Sequence, residues 1–434
     1  MQSSRFRKLV LAVVCLFTVS LFAANRITDL RPTVILVSID GFRPDYLNQV
    51  STPNLHSIMQ RGLRAKYMIP SFPTKTFPNH YTLVTGLYPA HHGIVANTMY
   101  DPGSDSWFRM ADRSAVEDAR WWGGEPIWVT AEKQGVRTAP LLWPGAQAAI
   151  EGTRPSYSQQ YEKDLTSEQR VAKLFECMDL SALLRPQLFT LYLEMVDNAG
   201  HDFGPRSPQV REAVQEADNA VGLLLNGLRL RGVEDQVNII VVSDHGMAPI
   251  STKKIVYLDD YIDPKTVQIV DGSPVLSLRP KDGNAEALYQ KLKKIRHAKA
   301  YLSTAVPERW HFNDSPRITP VVVVADDEWT ISTRDYLKTH PLKGGNHGFD
   351  NSTKNMRAMF FAAGPSFQKG KMKPFPNIHI YSLLAYLLNV NPAKTDGSVE
   401  VFKSHLLPST VRQPTRKQLA PWQKERDQYA VLMK

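Results

Sequence analysis

The sequence predicts an α/β fold in which a mostly parallel central sheet carries helices on both faces. Short apolar, β-branched runs alternate with amphipathic helical patterns along the chain, and this alternation is typical of parallel sheets. Three of these runs, at 33–39, 188–196 and 237–243, are each followed by an aspartate. The chain has 434 residues, of which 43% are hydrophobic and 22% charged, so it has enough apolar side chains for a large core.

Residues 1–24 have the pattern of a secretory signal peptide, with a basic start, an apolar run and small residues at Ala23 and Ala24. An uncleaved anchor is the alternative, because Leu21 and Phe22 stand where a small residue is usual before the cleavage site. No second apolar run of spanning length follows, so we expect no stable membrane span unless the signal is retained. A mature chain would keep Cys177 alone, without an internal disulfide, which predicts export to a bacterial periplasm.

The first half of the chain begins with the strand at 33–39, which ends at Asp40-Gly41. A helix is then predicted from Thr52-Pro53 to Gly62. Thr76 stands before Phe77-Pro78 and is a candidate helix N-cap, a place where unpaired backbone N–H groups can hold a phosphate oxygen. A further helix is expected at 126–133.

The second half continues the alternation with strands at 188–196 and 237–243, separated by a long helix that Ser207-Pro208 begins. Residues 250–345 predict an inserted lobe, with strands at 275–278 and 321–324 and a basic helix at 285–297. A strand at 359–362 and a helix at 381–388 complete the predicted domain, and 409–434 form a polar, basic C-terminal tail. The net charge of +10 is spread over several surface runs, so no nucleic-acid partner is expected.

Potential metal ligands follow three of the predicted strands, and ligands bind at the carboxyl ends of strands in such sheets. A further histidine lies in a glycine-flanked loop. Aspartate together with neutral histidine suits zinc, and the set is large enough for two Zn²⁺ ions that stabilise the entering and leaving oxygens of a displacement at phosphorus. A metal-bound threonine hydroxyl would also lose its proton readily and act as a nucleophile. The predicted site contains Asp40, Thr76, Asp197, His201, Asp244, His245 and His347.

These residues lie in motifs that resemble the nucleotide pyrophosphatase/phosphodiesterases of the alkaline phosphatase superfamily, in a bacterial form with one catalytic domain. The resemblance covers about residues 31–408. It is carried, in order, by Asp40-Gly41, PTKTFPNHYTLVTGLYPAHHGIVAN ending at residue 97, WWGGEPIWVTAEKQG at 121–135, LYLEMVDNAGHDFGP at 191–205, SDHGM at 243–247 and NHGFDN at 346–351.

The resemblance implies one zinc bound by Asp197, His201 and His347, and a second bound by Asp40, Thr76, Asp244 and His245. It also implies a covalent nucleotidyl intermediate on Thr76. Asn97 and the backbone N–H of Phe77 would hold a non-bridging phosphate oxygen. The rings of Phe77 and Tyr192 would form a slot for the nucleobase.

The resulting prediction is an exported two-zinc hydrolase that releases nucleoside 5′-monophosphates from small nucleotide substrates. One alternative is a zinc phosphodiesterase that acts on phospholipid head groups such as lysophosphocholine. Another is a metal-stabilised binding protein without turnover, which the threonine at the helix start disfavours because a structural metal site does not use a nucleophile.

Overall fold

The computed structural model describes residues 25–407. The predicted signal peptide at 1–24 and the predicted tail at 409–434 lie outside these residues. Between residues 25 and 407, no helix combines the length and the apolar composition that crossing a membrane requires.

The strands of the described chain vary in length from two to seven residues. In chain order they are β1 Thr33–Ile39, β2 Leu63–Ala65, β3 Met68–Ile69, β4 Thr98–Asp101, β5 Ser106–Arg109, β6 Thr138–Pro140, β7 Leu188–Leu193, β8 Val237–Val242, β9 Ala248–Pro249, β10 Ile255–Tyr257, β11 Val267–Asp271, β12 Val275–Pro280, β13 Ala298–Leu302, β14 Val321–Ala325, β15 Thr330–Ser332, β16 Gly345–Asn346, β17 Phe360–Ala363, β18 Gly370–Met372 and β19 Phe375–Pro376.

The longest α-helix of the described chain has 23 residues and begins at Pro208. In chain order the helices are α1 Pro53–Arg61, α2 Thr76–Thr85, α3 Pro89–His92, α4 Arg113–Glu117, α5 Ile127–Lys133, α6 Ser167–Met178, α7 Met195–Phe203, α8 Pro208–Leu230, α9 Ala285–Leu292, α10 Arg334–Thr339 and α11 His379–Leu388.

Seven strands form the central sheet in the order β18-β2-β17-β8-β1-β7-β6. Strand β1 pairs in parallel with both β7 and β8, and β6 pairs in parallel with β7, whereas β17 is antiparallel to its neighbours. All residues of β1, β7 and β8 are buried, because helices cover both faces of the sheet. The predicted mostly parallel α/β fold is confirmed.

Two apolar cores lie on opposite faces of this sheet. Alternate residues of β1 belong to different cores, with Val34 and Leu36 in one and Ile35 and Val37 in the other. The first core includes residues of α2, α5 and α11, and the second includes residues of α1, α6 and α8. The packing on both faces holds the carboxyl ends of β8, β1 and β7 side by side.

A smaller antiparallel sheet, in the order β11-β12-β14-β13, lies within the predicted lobe. Its strands alternate between a third apolar core, which contains Val321 and Val323, and the first core, which contains Val322 and Val324. The lobe sheet therefore packs on the main domain with one face and on its own helix α9 with the other. The lobe bounds of 250–345 stay a prediction.

Two elements are shorter in the structure than the sequence predicts. The strand predicted at 188–196 ends at Leu193, and helix α7 begins at Met195. The helix predicted at 285–297 ends at Leu292, because residues from Ala298 onward pair with β14. In both cases tertiary packing overrides a local apolar pattern that continues beyond the element.

Candidate active site

The three aspartates of the predicted site meet at the carboxyl edge of the central sheet. Asp40 directly follows β1, Asp244 lies two residues after β8, and Asp197 lies in the helix after β7. Their exposed fractions are 1%, 0% and 8%, in that order. Gly41 lets the chain turn here with a φ of +67°, and its backbone N–H donates to Asp244 Oδ1 at 3.2 Å.

Helix α7 places Asp197 and His201 on one face, because they are four residues apart. Their Oδ2 and Nε2 atoms are 3.4 Å apart, and His347 Nε2 lies 3.7 Å from Asp197 Oδ1. The Nδ1 atom of His201 hydrogen-bonds to the carbonyl oxygen of Gly345 (3.1 Å), and that of His347 to the carbonyl oxygen of Thr74 (2.9 Å). These backbone contacts assign the protons to Nδ1 and leave both Nε2 atoms free to bind a metal.

His245 connects the remaining members of the predicted site. Its Nε2 atom lies 2.9 Å from Asp244 Oδ2, 3.4 Å from Asp40 Oδ1 and 3.3 Å from Thr76 Oγ1. Its ring also stacks on His347, with centroids 3.6 Å apart. The structure thus brings all seven predicted metal-site residues into one cluster, in which only His201 is partly exposed.

The electrostatics of the cluster reflect three buried carboxylates close to one another. Burial, reinforced by Asp244 and Asp197, raises the pKa of Asp40 well above its usual value. Burial also raises the pKa of Asp197. For Asp244, burial is outweighed chiefly by the neighbouring imidazole of His245, and its pKa lies well below the usual value. Carboxylates in this arrangement repel one another unless protons or cations compensate their charge.

The donor set fits divalent metal ions. Among the residues that the structure describes, Asp40 Oδ1, Asp197 Oδ1 and Asp244 Oδ2 are buried oxygens without a hydrogen-bond donor. Buried carboxylate oxygens are normally paired or bound to metal. Ligand atoms within 4.8 Å of one another occur in three sets, namely Asp197 with His201 and His347, Asp40 with Asp197 and His245, and Asp40 with His80 and Asp244.

The first set coincides with one predicted zinc site. The ligands predicted for the second site are divided between the other two sets, which also contain Asp197 and His80. His80 joins the cluster although the sequence favours only a structural role for it. The sequence does offer one weak indication of this proximity, because His80 stands one helical turn after Thr76.

Thr76 is not the N-cap of its helix, which corrects the sequence prediction. It is the first residue of α2, and Lys75, with φ −115° and ψ 157°, holds the cap position without a side-chain cap. Thr76 is nonetheless at the positive end of α2, is 9% exposed, and faces His245. The hydroxyl is therefore directed into the carboxylate–imidazole cluster rather than back to its own helix.

Asn97 and Phe77 are in direct contact. The backbone N–H of Phe77 donates to Asn97 Oδ1 at 3.0 Å, so in this structure the two groups bond to each other. The contact fixes the amide plane of Asn97 and makes its Nδ2 group the donor of that side chain. The Phe77 ring is half-buried and packs near Phe108 and Trp122, at centroid distances of 5.8 and 6.1 Å.

Tyr192 has a different environment from that expected of a nucleobase slot. It is 8% exposed, and its hydroxyl donates to Asp40 Oδ2 at 2.6 Å. The hydroxyl orients a carboxylate of the cluster, and the buried ring offers little surface for stacking. Tyr161, whose ring centroid is 6.1 Å from that of Tyr192, is 44% exposed and was not singled out by the sequence.

The fold and the cluster define a class of protein, an alkaline-phosphatase-like α/β protein with a buried aspartate–histidine site suited to metal. Residues 34–350 match the family model described as type I phosphodiesterase / nucleotide pyrophosphatase. The chain belongs to this family.

Curated relatives extend the match over most of the chain. Ectonucleotide pyrophosphatase/phosphodiesterase family member 3 of Bos taurus is 41% identical over 380 residues, which cover 85% of this chain and 43% of the relative. An uncharacterized pyrophosphatase/phosphodiesterase of Schizosaccharomyces pombe is 40% identical over 389 residues, covering 85% of this chain and 79% of that protein. The chain thus spans less than half the length of the cattle relative.

Solved structures show the same fold. Murine ectonucleotide pyrophosphatase/phosphodiesterase 5 has a TM-score of 0.82 and 37% identity, covering 86% of this chain and all of that one. The same mouse protein is also known as an inactive threonine-to-alanine variant in complex with AMP, with equal similarity. The human protein 5 has a TM-score of 0.83 and 36% identity, over 87% of this chain and all of that chain.

Proposed function

We propose that the chain is a two-zinc phosphodiesterase and nucleotide pyrophosphatase that releases nucleoside 5′-monophosphates through a covalent intermediate on Thr76. The observation that carries this proposal is the approach of Thr76 Oγ1 to a buried cluster of three aspartates and three histidines at the carboxyl edge of the sheet. Membership of the family supports the reaction class, and the AMP complex of the inactive mouse variant supports a nucleotide substrate and an essential threonine.

The proposed roles follow from position. Asp197, His201 and His347 would hold one ion, and Asp40, Asp244 and His245 would hold the other together with Thr76. When bound, the ions would supply positive charge to the entering and leaving oxygens of an in-line displacement.

Thr76 Oγ1 would lose its proton to solvent and form a bond to the α-phosphorus, while the bond from that phosphorus to the leaving oxygen breaks and the leaving group takes the electron pair. Water would then attack the same phosphorus, and the bond to Thr76 Oγ1 would break. The nucleoside monophosphate would leave, and a proton would return to the threonine oxygen. The Nδ2 group of Asn97, oriented by the Phe77 N–H contact, would donate to a non-bridging oxygen. Phe77 stays the candidate for the base, whereas Tyr192 orients Asp40.

Export belongs to the proposal through the predicted signal peptide at 1–24. The relatives compared above are proteins of animals and of a fission yeast, so they do not bear on the predicted bacterial periplasm.

The test is hydrolysis of the p-nitrophenyl ester of thymidine 5′-monophosphate by the wild type, by Thr76→Ala and by Thr76→Ser. We expect Thr76→Ala to lose at least about 10³ in kcat and Thr76→Ser to keep part of it, because serine retains the nucleophilic oxygen. Full activity of Thr76→Ala would disprove the covalent step.

A parallel comparison of ATP, a dinucleoside polyphosphate and lysophosphocholine tests the substrate class. Nucleotides should be cleaved with the higher kcat/KM. A preference for the choline lipid would instead support the alternative of a head-group phosphodiesterase.

A further inference from the structure

His80 is a fully buried histidine in contact with both the threonine helix and the aspartate cluster. It is 0% exposed and lies in α2, one turn after Thr76. Its Nδ1 atom is 2.9 Å from the carbonyl oxygen of Thr76 and 3.3 Å from Asp244 Oδ2. Its Nε2 atom is 2.8 Å from Ser38 Oγ.

These partners determine the protonation of the ring. A carbonyl oxygen only accepts hydrogen bonds, so the contact with Thr76 requires a proton on Nδ1. The Ser38 hydroxyl can donate, and it pairs with the other ring nitrogen by donating to Nε2. Both nitrogens are then engaged with protein groups, which argues against His80 as a metal ligand even though it lies within ligand distance of Asp40 and Asp244.

The ring has little freedom to move. Its centroid is 5.0 Å from that of Trp143 and 5.0 Å from that of Tyr192, both nearly perpendicular to it. Trp143 Nε1 also donates to the carbonyl oxygen of His80 at 3.1 Å. Such packing selects one rotamer, so the Nδ1–H group has a constant direction.

We propose that His80 is a positioning residue, which holds the Asp244 carboxylate and the first turn of α2 in the relative placement that metal binding and attack by Thr76 require. Asp244 Oδ1 accepts from the Gly41 N–H group, and the Nδ1 edge of the His80 ring lies 3.3 Å from Oδ2 as a polar contact without a hydrogen bond. The two contacts together limit the rotation of the carboxylate. Groups that orient metal ligands in this way contribute to metal affinity as well as to rate. The expected effect on the reaction rests on the proposed function. The expected effect on metal affinity rests only on the geometry of the aspartate–histidine cluster.

Two substitutions distinguish the role of Nδ1 from that of Nε2. His80→Asn places an amide nitrogen near the position of Nδ1, whereas His80→Gln places one near Nε2 and removes the N–H group that bonds to the Thr76 carbonyl and faces Asp244. His92→Asn is a matched control, because His92 is also 0% exposed and bonds through Nε2 to Thr82 Oγ1 at 3.0 Å, away from the aspartates.

The first measurement is zinc affinity of the full chain, by competition with a chromophoric chelator, alongside thermal unfolding. We expect His80→Gln to weaken zinc binding by about 10- to 100-fold, and His80→Asn and His92→Asn to stay within about threefold of the wild type. Equal affinities for His80→Gln and His80→Asn would overturn the proposal. If His80→Gln does not fold, Ser38→Ala takes its place, with an expected loss of about three- to tenfold because Nε2 loses its hydrogen-bond partner and the ring is held less firmly. An unchanged affinity would overturn the proposal equally.

The second measurement is kcat and KM with the p-nitrophenyl ester at saturating zinc. His80→Gln should lower kcat by at least about tenfold with little change in KM, since His80 acts on Thr76 and not on the substrate. A wild type that cleaves no phosphodiester while His80→Gln still loses zinc affinity would disprove the proposed function and leave the positioning role intact. If His80→Gln instead matches the active wild type in zinc affinity and in kcat, the positioning role is disproved and the proposed function stands.

Discussion

Replacement of Asn97 by alanine and by aspartate separates the two tasks of its amide. The carbonyl oxygen accepts the Phe77 N–H bond of 3.0 Å, and the Nδ2 group is the donor proposed for phosphate. Alanine removes both groups, and loss of one oxyanion donor costs about 10²–10³ in kcat, or about 2.7–4 kcal/mol.

Aspartate keeps the shape and the bond from Phe77 but replaces the donor with a charged oxygen. Two unit charges about 3 Å apart repel by about 5 kcal/mol at an effective dielectric constant near 20, before bound cations reduce the repulsion. We therefore expect Asn97→Asp to be at least about tenfold less active than Asn97→Ala.

The assay is steady-state hydrolysis of the p-nitrophenyl ester at saturating zinc, with thermal unfolding measured for each variant. Asn238→Asp serves as the control, because this buried amide donates to Ser366 Oγ (3.1 Å) and lies at the start of β8, away from the cluster. Aspartate at position 97 with activity equal to or above that of alanine would refute the role of the Nδ2 group.

Three further predictions concern metal, an ion pair and pH. Chelation should lower the midpoint of thermal unfolding, because each ion present at 100–1,000 times its Kd adds about 3–4 kcal/mol, and restored zinc should reverse the shift. Asp271→Asn should cost about 3–5 kcal/mol in urea unfolding, since it leaves the Lys75 ammonium without a counter-charge at 8% side-chain exposure, and the double variant with Lys75→Met should recover most of this loss. Burial lowers the pKa of His92 to about 3, so the unfolded chain binds a proton below pH 6.5 that the folded chain does not. Acidification from pH 7 to 5 should therefore cost about 2 kcal/mol through this residue, and His92→Asn should lose that part of the pH dependence in denaturant titrations.

The predicted lobe contacts both the residue before Thr76 and the loop that carries His347. Lys75 forms an ion pair with Asp271 of β11, and Thr74 Oγ1 accepts the backbone N–H of Gly348 at 3.0 Å. Asn346 Nδ2 donates to the carbonyl oxygen of Ser273 at 3.3 Å. The loop that carries His347 is therefore held between the lobe and the residues before Thr76.

Many strand and helix bounds can be predicted from the sequence, because they depend on residues that are close to one another along the chain. The strand at 33–39 agrees with β1, and the helix from Pro53 to Gly62 agrees with α1 and its C-cap. Ser207 accepts from Val210 N at 3.1 Å as the N-cap of α8. Apolar periodicity, proline at a first turn and glycine after a last turn act locally, so they are readable without the fold.

The sequence by itself also determined the residue types of the aspartate–histidine cluster and the sheet edge where they meet. Only the tertiary structure decided that Thr76 follows the cap, that Asp197 lies on a helix, that Tyr192 bonds to Asp40, and that His80 reaches Asp244. These contacts join segments far apart in the chain, and burial of whole strands and helices selects them. A hydrogen-bond partner that packing brings from a distant segment leaves no local pattern, whereas a strand end followed by aspartate does.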